Sequence, residues 1–307
     1  MARAGAVVAT APLLGGCQMV LMDPKGPIGA QEKSIILLAT GLMLIVVVPV
    51  IVMTIAFAWR YRASNTSATY APEWHHSNKI EAVVWAIPCL IVMALGSVTW
   101  ASSHKLDPWQ PLASPMKPIE VEVVSLDWKW LFIYPQYHIA SVNQLAMPVG
   151  RPVHFRLTSA TVMNSFFIPQ LGSQIYTMTG METQLNLRAD HAGVYQGISA
   201  NYSGKGFADM KFKTLALSKA GFNAWIAKAS ASKATLDVAS YKTLDAPGVA
   251  ATAYYGTVDP ALYGKILNRC VDAVPCHDAK HVAMNHSAEP DMAMRMPSPS
   301  SITKHKS

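Results

Sequence analysis

Hydrophobic positions fall into three regimes along the chain. Between Ser34 and Trp59, and again between Ala82 and Trp100, no charged residue interrupts the apolar run. At 1.5 Å rise per residue, about 20 apolar residues cross the hydrocarbon core of a bilayer; the first run is comfortably long and the second just suffices. Trp59 and Tyr61 close the first run, and Trp85 and Trp100 lie near the ends of the second, interfacial positions for amphipathic rings. Pro49 and Pro88 sit inside the runs, where neighbouring helices can take up the carbonyls a proline frees. The pattern predicts two transmembrane helices, about 34–59 and 82–100.

From Ile119 the period falls to two. Ile119, Val121 and Val123 alternate with Glu120 and Glu122; Val153, Phe155 and Leu157 alternate with His154, Arg156 and Thr158; Leu185 and Leu187 alternate with polar partners; Met210 and Phe212 alternate with Lys211 and Lys213. Each pattern is a half-buried strand. Punctuated by Gly150, Gly172, Gly180, Gly193 and Gly204, several short strands over about a hundred residues predict a β-sandwich or small barrel. After Leu217 the spacing turns helical, through Phe222, Trp225, Ile226 and Ala229 with Ser218 as N-cap. Asp259-Pro260 reads as a cap with proline at the first helical position, opening a helix through Leu262, Ile266 and Leu267.

Composition agrees with a membrane-attached chain. Of 307 residues 51% are hydrophobic and 14% charged, with a formal net charge of +7. The Lys and Arg residues are scattered, with no basic run of five or more, so the charge reads as solvated faces and membrane-flanking residues and not as a nucleic-acid surface. A short basic start at Arg3, an apolar middle, and Leu14-Gly15-Gly16 before Cys17 describe a secretory signal over 1–16. Its end resembles a bacterial lipoprotein signal, which implies cleavage before Cys17 and lipid on its thiol. With Cys17 outside, the first helix runs inward and the second outward. The intervening loop, with Arg60, Arg62 and Lys79, is then cytoplasmic, as the positive-inside bias requires. A linker with Pro108, Pro111, Pro115 and Pro118 follows as an extended spacer.

The four cysteines, Cys17, Cys89, Cys270 and Cys276, do not make a dense disulfide framework. Cys270 and Cys276 are candidates for a disulfide in an oxidising compartment. Cys276-His277 is not a c-type haem site, because position 273 is Ala273. Residues 271–307, rich in His and Met, read as a disordered tail in preference to a copper-binding one.

Three segments carry a family resemblance. Asp127-Trp128-Lys129-Trp130 with Phe132 and Tyr134, Met163-Asn164-Ser165-Phe166-Phe167-Ile168-Pro169, and Ser199-Ala200-Asn201-Tyr202-Ser203-Gly204-Lys205-Gly206-Phe207-Ala208-Asp209-Met210 resemble, in order, the aromatic segment and the two copper-ligand segments of subunit II of haem–copper terminal oxidases. The likeness spans roughly Cys17 to Leu267 and is closest to the quinol-oxidising cytochrome bo branch. It implies a membrane helical hairpin over 17–112, linker included, an extracytoplasmic all-β cupredoxin-like sandwich over 113–217, and a short C-terminal helical region over 218–270. It also implies a bacterial inner-membrane location with the sandwich in the periplasm. The implied partners are the catalytic subunit I, which would hold the haems, a copper and the ubiquinol, together with subunits III and IV.

The departures from the pattern decide the expected function. Where copper-bearing relatives place the first histidine, this chain has Asn164. The two cysteine positions are Ser199 and Ser203, the glutamate is Asn201, the second histidine is Phe207, and Met210 alone is kept. A binuclear copper centre needs bridging thiolates and imidazoles, and hydroxyls are hard, weak ligands. The expectation is therefore a chain with no metal or redox cofactor, in a proton-pumping quinol oxidase that reduces oxygen to water. By the resemblance, Glu81 lies at the mouth of the proton path through subunit I; otherwise it complements the helix N-terminal dipole. Trp128 and Trp130, left without a copper acceptor, are expected to bear on subunit I. The competing readings are a cytochrome c oxidase subunit II with an atypical site, and a membrane-tethered periplasmic binding domain.

Overall fold

The computed structural model describes residues 19–69, 73 and 75–272; Cys17 with its signal segment, Cys276 and the His- and Met-rich tail lie outside them. Two long helices come first, α1 (Pro27–Arg60) and α2 (Asn78–Lys105). Both outrun the expected 34–59 and 82–100. The charge-free stretch marks the bilayer depth, whereas the helical backbone continues through Glu32 and Lys33 at the start of α1, and through Lys79, Glu81 and Lys105 at the ends of α2. Their most apolar windows have mean hydropathies of 3.1 and 2.2, and none of the residues in those windows is buried within the chain. So much exposed apolar surface requires lipid or a partner to cover it.

The start of α1 is seated in the outer domain. The Lys25 N–H donates to the Gln170 carbonyl at 2.7 Å, the Gly29 N–H to Leu171 O at 3.1 Å, and the Asp190 N–H to Lys25 O at 2.8 Å. A Cβ on Gly26 would stand 2.3 Å from the Arg188 carbonyl, so the close approach requires glycine there. Ser173 donates its hydroxyl to Glu32. On the far side of the hairpin, the Asn186 amide donates to the carbonyls of Pro108 and Trp109 at 3.2 and 3.3 Å. The linker after α2 is thus fastened to the sandwich.

The outer domain is a mixed β-sandwich. One sheet has six strands in the order β12 (Ala253–Tyr255), β3 (Ile139–Val142), β2 (Lys129–Tyr134), β1 (Ile119–Leu126), β5 (Val153–Ser159) and β8 (Thr183–Leu187). The other has five: β4 (Gln144–Pro148), β10 (Lys211–Leu217), β9 (Gly193–Ser199), β6 (Asn164–Phe167) and β7 (Ile175–Thr177). β1 pairs in parallel with β5, and β10 with β4; the other pairs within these two sheets are antiparallel. The alternation read around 210–213 holds in burial, Met210 and Phe212 being inside and Lys211 and Lys213 exposed, although the strand itself starts at Lys211 because Met210 ends a short 3₁₀ turn.

Both faces of β2 are covered, which is why Lys129-Trp-Leu-Phe-Ile-Tyr134 does not alternate. Trp130, Phe132 and Tyr134 enter the core between the sheets, while Leu131 and Ile133 face a second core. The buried Tyr134 hydroxyl donates to Ala146 O at 2.9 Å and accepts from Ala146 N at 2.8 Å, meeting the requirement that an interior polar group find partners. In the C-terminal segment α3 (Lys219–Ser230) packs Phe222, Trp225 and Ala229 onto the first core, while α4 (Val238–Asp245), α5 (Leu262–Leu267) and the small pair β11 (Thr235–Leu236) with β13 (Thr257–Val258) close the second. Ser218 caps α3 through the Gly221 N–H. The helical reading of this segment needs two corrections. It also contributes strands, β12 joining the six-stranded sheet beside β3. And α5 begins at Leu262 and not at Pro260, with the Asp259 carboxylate taking the Ala261 N–H at 2.9 Å.

Candidate functional site

The two segments that would hold copper in a cupredoxin meet at one end of the five-stranded sheet. β6 and β9 pair so that Phe166 lies opposite Ser199. Asn164 opens β6, Ser199 ends β9, and the chain returns through a loop to Met210, just before β10. Asn164, Ser199 and Met210 are buried.

Hydrogen bonds fill the places of metal bonds. Ser199 donates its hydroxyl toward Asn164 Oδ1 at 3.2 Å, with the Asn201 carbonyl at 3.3 Å as the alternative acceptor. The Asn164 amide donates to Val162 O at 3.1 Å, and the Asn201 amide to Met163 O at 3.1 Å. Ser203 turns its hydroxyl to the Met210 thioether at 3.9 Å, a weak contact. Phe207, in the second histidine position, leaves the cluster and meets Tyr202 edge-on, ring centroids 5.6 Å apart. The arrangement therefore brings together Asn164, Ser199, Asn201, Ser203 and Met210, and excludes the Phe207 ring from their hydrogen bonds. Two hydroxyls, two amides and one thioether do not suit the binuclear copper that the fold family implies, because no thiolate is present to bridge two metals and no imidazole to complete them. Among the described residues, no three His, Cys, Asp or Glu side chains converge on a common point.

Trp128 covers this loop. It occupies the second position of the two-residue turn between β1 and β2 with φ +67°, in the left-handed region that side chains rarely adopt. Its indole N–H donates to Ser203 O at 3.0 Å. A Cβ on Gly206 would lie 2.3 Å from the indole ring, so the glycine is what lets ring and loop touch. Trp130 points the other way, packing edge-on against Phe166 at 5.4 Å and Phe212 at 5.7 Å, with those two rings stacked at 5.1 Å. Trp130 departs from what the sequence led one to expect, whereas Trp128 is only half-buried. Trp130 is wholly inside this chain and cannot touch a partner, while Trp128 lays one face on its own loop and leaves the rest of its ring partly exposed.

Glu81 lies in the first turn of α2, about 36 Å by helical rise from the end of that helix at Lys105. Its Oε1 is 2.6 Å from His76 Nδ1, both side chains being roughly half exposed at 53% and 55%. His76 also faces Asn78 through its other ring nitrogen.

A third polar cluster was not anticipated. On the face of the six-stranded sheet beneath α5, Arg156 reaches Glu122 Oε1 at 3.1 Å and Glu182 Oε2 at 2.8 Å, with its guanidinium 5.1 Å from the Tyr263 ring centre. Burial pushes the Glu122 carboxyl up to about 7, Arg156 opposing the rise and Glu182 and Glu120 adding to it. The sequence signal was faint: Glu122 and Arg156 are simply polar members of neighbouring strands, and Glu182 immediately precedes β8.

Comparison with known proteins places this geometry. A family model described as cytochrome C oxidase subunit II, periplasmic domain, matches residues 134–214, and one described as COX aromatic rich motif matches 230–273. The chain is 55% identical over 285 residues to cytochrome bo(3) ubiquinol oxidase subunit 2 of Pseudomonas aeruginosa, covering 92% of this chain and 86% of that protein. It is 49% identical over 299 residues to ubiquinol oxidase subunit 2 of Acetobacter aceti, covering 96% and 97%. Against quinol oxidase subunit 2 of Bacillus subtilis the identity is 39% over 238 residues, covering 76% and 74%.

Proposed function

The chain belongs to the subunit II family of haem–copper ubiquinol oxidases, and on that premise we propose that it is the non-catalytic, copper-free subunit of a proton-pumping quinol oxidase that reduces oxygen to water. Membership leaves no ground for a tethered binding domain of unrelated function, and the named relatives are quinol oxidases. The observation that carries the reading is the hydrogen-bonded cluster Asn164–Ser199–Asn201, which fills the cradle with groups that cannot bridge copper.

The chemistry follows from where the electron donor lives. A water-soluble cytochrome needs an outer metal relay, whereas quinol is dissolved in the bilayer and reaches the large subunit from the lipid side. The haems, the oxygen-reducing copper and the quinol site belong to subunit I. This chain anchors in the bacterial inner membrane through α1 and α2, with lipid on Cys17, and sets its sandwich on the periplasmic face beside subunit I. Subunits III and IV complete the assembly. At the cytoplasmic end, Glu81 collects protons from water and hands them to the path in subunit I; a half-exposed carboxylate hydrogen-bonded to an imidazole is suited to that exchange. C-terminal elements α4 and α5 cover the outer side of the six-stranded sheet, and α3 packs on the core between the sheets.

The test is a metal and donor assay on the gently solubilised complex. The expected result is a haem-bearing large subunit that co-purifies, oxygen uptake with ubiquinol and not with reduced cytochrome c, and a copper content accounted for by subunit I. A thiolate-free copper pair retained by the separated chain, or oxidation of cytochrome c in place of ubiquinol, rejects it.

A further inference from the structure

Between α1 and α2 runs an apolar groove of about 640 Å³, lined by Ile45, Pro49 and Met53 on one helix and by Val84 and Pro88 on the other, with Lys79 its one charged lining residue. Lys79 stands at the loop end. There Glu81 is engaged by His76, and Arg60 and Arg62 lie over the rings of Tyr61 and Trp59 at 5.9 and 5.2 Å. Lys79 itself has no hydrogen-bond or ion-pair partner among the described residues. From Lys79 to Pro88 the groove is about 13 Å deep at helical rise, roughly half of the ~30 Å hydrocarbon core.

We propose that this groove holds an acyl chain of an anionic phospholipid, with the lipid phosphate on Lys79. Depth argues for this occupant. A helix of a neighbouring subunit would run the full thickness of the bilayer, and a groove one leaflet deep is matched to one leaflet's chain. Charge argues for it too, because a cation without a partner among the described residues sits at headgroup level and the walls below are wholly apolar. The volume is that of an ordinary small-molecule site. Arg60 and Arg62, at the same end of the hairpin, add to the attraction for an anionic headgroup. The inference rests on the hairpin spanning the bilayer.

The experiment uses the intact oxidase complex, delipidated and returned to nanodiscs of phosphatidylglycerol or of phosphatidylcholine, with retained lipid counted by native mass spectrometry. Wild type and Lys79→Arg are expected to retain phosphatidylglycerol. Lys79→Glu is expected to lower retention by about fivefold or more, the factor one basic residue near an anionic surface supplies. Val84→Trp, which fills the groove, should displace the lipid whatever its headgroup, and a benzophenone side chain placed at Val84 should crosslink to lipid. Equal retention in Lys79→Glu, equal retention of phosphatidylcholine, or a crosslink from position 84 to polypeptide overturns the proposal. A carbonate wash of the same membranes reads the spanning premise separately: a chain stripped off by the wash refutes the premise, and a chain that stays while lipid retention is unchanged refutes the lipid site alone.

Discussion

Ser199 and Asn164, placed by sequence where two copper ligands stand in cytochrome c oxidases, are joined here by a buried hydrogen bond of 3.2 Å. The bond keeps β6 and the end of β9 together without metal. Ser199→Ala strips Asn164 Oδ1 of its donor, and an interior acceptor left unpaired costs about 1–3 kcal/mol. The expected result is a lower thermal midpoint of the complex with ubiquinol turnover at low temperature unchanged. An unshifted midpoint would show that the bond holds nothing.

Gly206→Ala drives a methyl group into the Trp128 indole at 2.3 Å, so the loop and the ring must separate and the Trp128–Ser203 hydrogen bond is lost. The variant should be destabilised by about 1–3 kcal/mol. In the double variant with Trp128→Ala the Gly206→Ala penalty should largely vanish, because the two residues act on one contact. Additive effects on the thermal midpoint would refute the contact.

Glu122 holds its proton in the folded chain up to about pH 7, whereas an ordinary glutamate releases it near 4.5. The folded state therefore binds more protons than the unfolded one between those values, and this group's contribution is fully present below pH 4.5 and lost as pH rises through 7. The contribution is bounded at about 3 kcal/mol. Glu122→Gln, which stays neutral, should flatten the fall of thermal midpoint between pH 5 and 8. A slope identical to wild type over that range would rule the group out as its source.

Glu81→Ala should lower ubiquinol turnover and proton uptake by several-fold in the assembled oxidase, with haem content preserved. If its only role were to complement the start of α2, the loss would be about 0.3–1 kcal/mol of helix stability and turnover would stay at the wild-type rate. Measuring both quantities on one preparation separates the two roles.

Much of the architecture was legible because burial writes itself as period. The charge-free runs gave the hairpin, and the alternations at 119–123 and 153–158 gave strands β1 and β5. The strands of the C-terminal segment were hidden for a physical reason: Thr235–Leu236, Ala253–Tyr255 and Thr257–Val258 are too short to show a period. The packing of Trp130 was hidden by β2 being covered on both faces, so that Trp130 and Leu131 read alike although they enter different cores. At the site, residue types sufficed to show what cannot be bound there. The hydrogen bonds that replace the metal depend on distances between segments some 35 residues apart, which no local pattern encodes.

The seating of α1 has a mechanical consequence. Helices tilt to match their hydrophobic length to the surrounding bilayer. Three main-chain hydrogen bonds and the Gly26 contact fasten the entry to this helix, Lys25 to Gly29, to the sandwich. A thinner membrane that leans α1 over therefore pulls on the sandwich at Gln170, Leu171 and Asp190, turning local bilayer thickness into a load on the water-facing domain.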